Sequence, residues 1–395
     1  MAVWNALLLI GTLVIIAPMI IWSVECAAAL LPYRVGKCSR IRPRVAVLVP
    51  AHNEEAGIGR MLQSVMPQLM EGDRLVVIAD HCSDATAKTA RELGCVVFER
   101  HDPLRQGKPY SLDDAVRRMQ QDAPEVFVVI DADCVAHPGA IDALARLAYA
   151  SHQPVQAKYI LEQPSGANAH RHIAAFAFLI KNFVRPRGLQ RLGLGCLLNG
   201  SGMAFTCDLL RDRVLVNNKL SEDTWFTIDL ALRGHVARFC PQAEITSTLP
   251  IAKSSRVTQS TRWAYGSLQC VFRAPVLLLA AIRQRRLNLL GLFCDLLVPP
   301  LSLLMVLWLA ILPASVASGL LASFWLPLII ALTGGAAMAI SFGAVCRKFG
   351  RTDMHRLFLG IPSYIAFRAP IFINFLFRRQ RKWVRTARDP FPPRD

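Results

Sequence analysis

The stretch Val126-Phe-Val-Val-Ile-Asp131-Ala-Asp133-Cys134 constrains the fold more than any other. An unbroken run of β-branched and apolar residues predicts a strand buried on both faces, as in a parallel sheet covered by helices. The run ends abruptly in two acids. Alternate residues of a strand leave on the same face, so Asp131 and Asp133 are expected to point together. Open α/β sheets bind ligands just outside the carboxyl ends of their strands. Two hard carboxylates there suit Mg²⁺ or Mn²⁺, and through it the oxygens of a phosphate. Two acids opening a solvated loop would look the same, so the rest of the chain has to decide.

Residues 44 to about 160 alternate short apolar runs with amphipathic stretches, which predicts βαβ units and a parallel sheet. Val45 to Val49 is a strand that stops at Pro50-Ala-His-Asn53-Glu54-Glu55. Leu75 to Ala79 is a second, ending in Asp80-His-Cys-Ser-Asp84, where Ser83 or Asp84 could cap the helix that follows. Val96 to Phe98 is a third. Gln106-Gly-Lys108 then opens a helix through Met119, and a Gly and Lys at a helix start can hold an anion. Polar groups thus stand at three strand ends: Asn53 and Glu54, Asp80 and Asp84, Asp131 and Asp133. Together they outline a cleft for a phosphate-bearing nucleotide.

The composition is too apolar for a purely soluble enzyme, at 53% hydrophobic residues and a mean hydropathy of +0.35. The net charge of +17 calls for an anionic partner. Nucleic acid is not expected, because no recognition-helix, zinc-finger or RNP signature is present and the basic residues flank apolar stretches. Eleven scattered cysteines without CxxC or zinc spacing read as free thiols in a reducing compartment.

Residues Ala2 to about Val24 are apolar and long enough to span a bilayer. Arg34, Lys37, Arg40, Arg42 and Arg44 follow, which puts the amino terminus outside and the next domain in the cytoplasm. Ala27-Ala-Ala29 could be a cleavage site, but a basic region ahead of the apolar stretch is missing, so an uncleaved anchor is expected. Leu289–Leu312 and Leu320–Phe342 are two further expected spans. The loop from Arg347 to Arg356 is basic and placed inside. Phe358–Phe377 is apolar with Arg368 in its middle, and a basic run follows at Arg378 to Lys382. A full span would put that run outside, so a re-entrant or interfacial helix is expected. Asp295 could pair with Arg368, since intramembrane charges usually find partners; a headgroup-level Asp295 without a partner fits as well.

Ala174–Ile180, with Lys181, Arg185, Arg187 and Arg191 behind it, is read either as a helix on the membrane surface or as a core helix with a polar end. Asn199-Gly-Ser-Gly202 is a turn entering a short strand, Met203–Phe205, and its glycines permit close backbone approach to a substrate. Ser221-Glu-Asp223-Thr-Trp225 opens a helix through Leu232; capping alone explains these residues, and a catalytic base at Asp223 is the functional reading. In Gln259-Ser-Thr-Arg262-Trp263, Arg262 could fork onto a diphosphate and Trp263 could stack on a sugar.

In this order the motifs resemble the membrane-embedded family 2 glycosyltransferases, such as cellulose, chitin and hyaluronan synthases. The resemblance rests on Pro50–Glu55, Asp80, the Asp131/Asp133 pair, Glu222-Asp223 and the QxxRW of Gln259–Trp263. Enzymes that place one sugar on ceramide or diacylglycerol carry similar motifs. The resemblance implies an α/β fold: a GT-A, Rossmann-like domain with flanking transmembrane and interfacial helices. It implies Asn53, Glu54, Asp80, Lys108, Asp131, Arg262, Thr386 and Arg388 as donor-binding residues, with Asp80 at the nucleobase. Asp131 and Asp133 would hold Mg²⁺ or Mn²⁺, Asp223 would be the catalytic base, and Gln259, Trp263 and Trp383 would meet the acceptor. Trp383, Thr386 and Arg388 look like a gating segment. His81 departs from the pattern, standing where many relatives have a second acid.

The expected organisation is an anchor at 1–26, a cytoplasmic catalytic domain at 40–255, interfacial helices at 256–288, two transmembrane helices at 289–343, and a basic loop, interfacial helix and gating-like segment at 344–395. The expected function is inverting, metal-dependent transfer of a sugar, with UDP the nucleotide the family implies, to a polysaccharide at the cell membrane. Transfer of one sugar to a membrane lipid is the alternative. The expected partners are a nucleotide-sugar donor, a glycan or lipid acceptor and the lipid bilayer; an oligomer could complete a pore that one chain leaves incomplete.

Overall fold

Val45–Ala51 forms the strand β1, whose residues are almost all buried. The computed structural model describes residues 1–32, 39–162, 169–211, 220–249, 252–350 and 354–377. It divides into an α/β unit (Arg34–Pro164 and Gly195–Thr258) and a helical unit (Met1–Tyr33, Ser165–Leu194 and Gln259–Lys382). Trp383, Thr386 and Arg388 lie outside the described residues.

In the α/β unit, β1 pairs in parallel with β2 (Arg74–Asp80) and β4 (Val126–Val129), and β2 pairs in parallel with β3 (Val96–Arg100). The sheet continues through β7 (Met203–Thr206), β6 (Val155–Glu162), β8 (Arg238–Thr248) and β5 (Val135–Ala136), in the order β3-β2-β1-β4-β7-β6-β8-β5. β7 runs antiparallel to both β4 and β6. Val45, Val47, Val49, Val126 and Val128 share one core with α2 (Ile58–Val65) and α5 (Ala140–Ser151). The alternate residues Ala46, Leu48 and Phe127 are equally buried. α4 (Lys108–Arg118) contacts β1 and β2. Coverage of both faces explains why these strands read as continuous apolar runs. α3 (Thr86–Glu92), α8 (Cys207–Arg211) and α9 (Glu222–Leu232) complete this unit.

The chain winds outward from β1 through β2 to β3 and then returns to place β4 on the other side of β1, and the crevice outside the carboxyl ends of β1 and β4 is the ligand position of doubly wound sheets. The sequence-predicted strands are all present, so the expected α/β class holds. Asp131 and Asp133 reach that crevice by a different route from the one expected. β4 stops at Val129, and both acids lie in a turn closed by the Cys134 amide donating to the Asp131 carbonyl at 3.0 Å. Strand alternation therefore does not align them.

The helical unit contains α1 (Ala2–Ala29), α6 (Ala169–Leu179), a π turn at Ile180–Val184, and α7 (Arg185–Arg191). It continues from Gln259 in α10 (Lys253–Val271) through α11 (Ala274–Gln284), α12 (Leu287–Leu297), α13 (Leu301–Ala322), α14 (Leu326–Phe349) and α15 (Met354–Phe377). Among the described residues, α1, α13 and α14 are long and apolar enough to cross a membrane, and α10 with α11, bent by 41°, would make a fourth if counted as one. The expected helix Leu289–Leu312 is instead two, because Pro299 and Pro300 follow α12 and neither supplies an amide hydrogen. The second expected span is displaced to Leu326–Phe349, past a turn in which Ser323 takes a φ of 54°.

The expected Asp295–Arg368 pair does not form. Arg185 is buried between Glu25 and Asp295, with its Nε 2.5 Å from Glu25 Oε2 and its other donors on the Asp295 carboxylate and carbonyl. Gly188, one turn on, lets α7 press against the Glu25 backbone of α1, where any β-carbon would collide. Arg187 donates to the Ala29 carbonyl at the end of α1 at 3.0 Å. Arg185 and Arg187 of this basic tail thus pack inward, as in the core-helix reading, while Lys181 is exposed.

Candidate active site

The crevice is built from three loops that follow β1, β2 and β4. After β1, Asn53 adopts a left-handed φ of 52°, which Asn tolerates better than most residues. Its side-chain amide donates to Ser83 Oγ at 3.1 Å and its Oδ1 accepts from the Ser83 amide at 2.8 Å. Asn53 therefore ties the first loop to the second. The Glu54 amide donates to Thr86 Oγ1 at 2.8 Å, and Asp84 Oδ1 accepts from the Thr86 amide at 3.0 Å. Burial would raise the Asp84 carboxyl, but the Thr86 hydroxyl and amide and the Glu55 amide outweigh it and hold it below the usual carboxylate range.

Asp80 ends β2 and is only 5% exposed. It is in register with Arg100 on β3, whose Nη1 donates to Asp80 Oδ1 at 2.8 Å. The Gly107 amide donates to Oδ2 at 3.0 Å. This carboxylate is fixed at the rim, and it positions the glycine that precedes α4. His81 takes a φ of 54° and its Nε2 lies 2.8 Å from the Asp102 carbonyl.

Lys108 opens α4 and reaches the β4 turn. Its ammonium bonds Asp131 Oδ1, and donates to the Gly200 carbonyl at 2.6 Å. Burial alone would push this ammonium toward neutrality, but Asp131 above all, with Glu222 and Asp223, raises it above its ordinary value. It is a fixed positive charge. Gly200 has a φ of 85°, and a β-carbon there would lie 3.5 Å from Asp223 Oδ2 and 3.7 Å from Lys108 Nζ. Asp223 and Asp131 are therefore gathered about one lysine, though 92 residues separate them. Asp223 sits in the first turn of α9 and its Oδ1 accepts from the Thr224 amide at 2.7 Å. Ser221 occupies the cap position without a side-chain cap bond, while Glu222 and Asp223 stand in the first turn, where acids favour a helix start.

The loop 198–202 that carries Gly200 is held by residues with no motif signal. Gln156, fully buried on β6, accepts from the Asn199 amide at 2.8 Å and donates to the Ser201 carbonyl at 2.9 Å. Thr227 accepts from the Leu198 amide at 3.0 Å and donates to the Asp223 carbonyl at 2.8 Å, linking the loop to α9. Ser201 accepts from the Asp131 amide at 3.1 Å. Gly202 has a φ of 69°, and a β-carbon would come within 2.7 Å of both Ala157 and Ile245. Gln156 and Thr227 gave no sequence signal because each acts through a pairing that only the folded register creates.

One carboxylate oxygen each from Asp131 and Asp133, and Cys134 Sγ, lie within 4.8 Å of one another. Burial, reinforced by Asp133 and Asp131, raises the Cys134 thiol well above its ordinary range, and it accepts from Ser201 Oγ at 3.2 Å. The two carboxylates are hard oxygen donors of the kind Mg²⁺ or Mn²⁺ takes. Asp133 and Cys134 also line a small surface pocket with Arg60, Glu162 and Thr246.

Gln259, Arg262 and Trp263 lie on α10 within the helical unit, spaced to share one helix face. There the Trp263 ring is 5.4 Å from that of Phe178 on α6.

A family model described as "Glycosyltransferase like family 2" matches residues 43–266. The probable glycosyltransferase YdaM of Bacillus subtilis (strain 168) is 25% identical over 256 residues, which are 58% of this chain and 57% of that protein. The chain thus spans under two thirds of that relative. Among solved structures, the mannosyltransferase PcManGT from Pyrobaculum calidifontis, in complex with GDP-Man and Mn²⁺, is similar with a TM-score of 0.61 and 17% identity, over 95% of this chain and 100% of that one. This likeness supports the GT-A fold. Glucosyl-3-phosphoglycerate synthase from Mycobacterium tuberculosis, in complex with Mn²⁺, UDP and phosphoglyceric acid, matches with a TM-score of 0.36 and 20% identity, over 50% of this chain and 68% of that one.

Proposed function

Since the chain belongs to the glycosyltransferase-like family 2, we propose that it is an inverting, metal-dependent enzyme that moves a sugar from a nucleotide to an acceptor hydroxyl at the cell membrane. The observation that carries this reading is the gathering of Asp131, Lys108, Gly200 and Asp223 at the switch point of the sheet. A divalent cation held by Asp131 and Asp133 would supply charge neutralisation at the diphosphate. Lys108, with a permanent positive charge, adds to the same field. Asn53, Glu54 and Asp80 line the nucleoside side of the crevice, with Asp80 held by Arg100 at its rim. Asp223 accepts the proton of the attacking hydroxyl on the face opposite the leaving group, which gives a β-linkage from an α-linked donor.

Arg262 would meet the diphosphate, and Gln259 and Trp263 the acceptor, as the resemblance implies. Trp383, Thr386 and Arg388 would close over the donor on the same grounds. UDP is the expected nucleotide; the GDP-Man complex of the similar mannosyltransferase makes guanosine donors the first comparison. The membrane reading is multi-pass, with the catalytic unit cytoplasmic. It draws support from α1, α13 and α14.

A growing polysaccharide is the first acceptor reading. A single sugar placed on a membrane lipid is the second, and one observation favours it: the candidate spans among the described residues, three or four with the bent pair, are few to enclose a polymer path in one copy. The deciding experiment supplies sugar nucleotides with Mn²⁺ or Mg²⁺ to the full chain in lipid, and reads released diphosphate and product length. Metal-dependent release with long products supports the first, and a single glycolipid the second. Absence of transfer from every donor with either metal refutes both.

A further inference from the structure

We propose that Gln156 is a positioning residue for donor binding: its side-chain amide fixes the Gly200 carbonyl, which in turn aims the Lys108 ammonium. The inference deepens the proposed transfer and rests on it for the identity of the ligand. Gln156 lies on β6 in register with Met203 of β7 and Phe239 of β8, and is 0% exposed. Glutamine is mostly a surface residue, and a buried amide is unfavourable unless its hydrogen bonds are made. A core that needed only volume at this point would be filled as well by an apolar side chain of similar size.

The amide directs its bonds at the loop 198–202. Its Oε1 accepts from the Asn199 amide at 2.8 Å, and its Nε2 donates to the Ser201 carbonyl at 2.9 Å and to the Ala157 carbonyl at 3.0 Å. Asn199 and Ser201 flank Gly200, so one side chain grips the backbone on both sides of it. Farther along, the strands hold the loop: the Gly202 amide donates to the Val129 carbonyl at 2.9 Å, and the Ala157 amide to the Gly202 carbonyl at 2.7 Å. Gly200 has a φ of 85°. Glycine has more backbone directions open to it than any other residue, so the direction of this carbonyl depends on what holds its neighbours. It accepts from Lys108 Nζ at 2.6 Å. A lysine ammonium is a point charge on a flexible stem with three rotatable donors. Two of them meet Asp131 and the Gly200 carbonyl, and the third is the one a diphosphate oxygen would take. A backbone carbonyl has no side chain to delete, so its contribution is read through the residue that holds it.

The test titrates UDP and GDP, each with Mn²⁺, into the full chain in detergent by calorimetry. The tighter of the two is then carried through the unaltered chain, Gln156→Met, Lys108→Met and the double variant. Gln156→Met should weaken binding about tenfold, the lower end of what one hydrogen bond to a charged group contributes. In the Lys108→Met background the same change should weaken it less than about twofold, because residues that act through one another are not additive. Equal losses in both backgrounds make Gln156 a general support of the fold and overturn the proposal, as does unaltered binding by Gln156→Met. Gln156→Glu keeps the volume and the acceptor for the Asn199 amide but not the donors, and it gives the same comparison if Gln156→Met does not fold; failure of both to fold also overturns the proposal. Binding of neither diphosphate by the unaltered chain refutes the donor reading itself, a result told apart from the others because it needs no variant.

Discussion

Each unit places one basic side chain between two carboxylates, and the two arrangements differ in access to water. In the crevice, Lys108 bonds Asp131 and lies near Asp223, with side-chain exposures of 19% for Lys108 and 30% for Asp131. In the helical unit, Arg185 lies between Glu25 and Asp295, and none of the three exceeds 9%. A partly exposed lysine is a point charge on a flexible stem that can exchange one anionic partner for another. A buried guanidinium with fixed forks cannot, and it acts as a staple between α1, α7 and α12. On the proposed function, similar charges serve chemistry in one place and assembly in the other.

Four substitutions would break or sharpen this contrast. Asp223→Asn should cut transfer by about 10²–10⁴-fold, the usual contribution of a general base, while donor affinity changes little. Diphosphate release set against equilibrium donor binding measures this, and normal turnover in the variant removes Asp223 from the mechanism. Arg185→Met leaves two buried acids without their cation and should destabilise the chain by about 3–5 kcal/mol. Thermal unfolding in detergent reads it; a triple change to apolar residues at 25, 185 and 295 should recover most of the loss.

Lys108→Met should weaken donor binding by about 1.5–3 kcal/mol, the range of a hydrogen bond to a charged group, and leave unfolding nearly unchanged. A large loss of stability there instead would make Lys108 a staple as well. Asp84→Ala is the smallest effect, about 1 kcal/mol, from losing the bonds its carboxylate accepts from the Thr86 and Glu55 amides; neither Ser83 nor Asp84 forms the expected cap of α3, whose cap position is Ala85 without a side-chain bond. The folded Asp84 carboxyl titrates below its unfolded value, so its contribution is full at neutral pH and declines as acid carries the solution down through the folded pKa. The alanine variant should therefore lose less stability on acidification than the parent does.

The strand ends were readable because they obey a local rule: a buried parallel strand is apolar throughout, and its polar successor marks the carboxyl edge. Asn53, Asp80 and Asp131 follow from that rule. The alignment of Asp131 with Asp133 was expected for a reason that does not operate, since a turn carries them. Lys108 was readable as an anion binder at a helix start, but its reach to Gly200 was not, because that contact crosses 92 residues. Gln156 and Thr227 depend on where the β7 and β6 pairing places the 198–202 loop, and no periodicity encodes an antiparallel register among parallel strands. The partner of Asp295 was misjudged for the same reason. Arg185 stands in the basic tail behind an apolar stretch and Arg368 inside one, and only packing brings the first of them to Asp295. Pro299 and Pro300 were a legible stop that the long apolar run obscured.

The π turn at Ile180–Val184 holds one more residue than an α-helical turn would need. Each residue of an α-helix advances the side chains by about 100°. Deleting one residue from the regular part of α6 would rotate everything beyond it by that angle, taking the Arg185 side chain off the line joining Glu25 and Asp295, whereas deleting one inside the π turn and letting it relax to a regular helix would remove the surplus residue and leave Arg185 nearly in phase. The wider turn thus takes up one residue without passing the rotation on to α7, so this segment should tolerate loss of a residue better than the regular turns on either side.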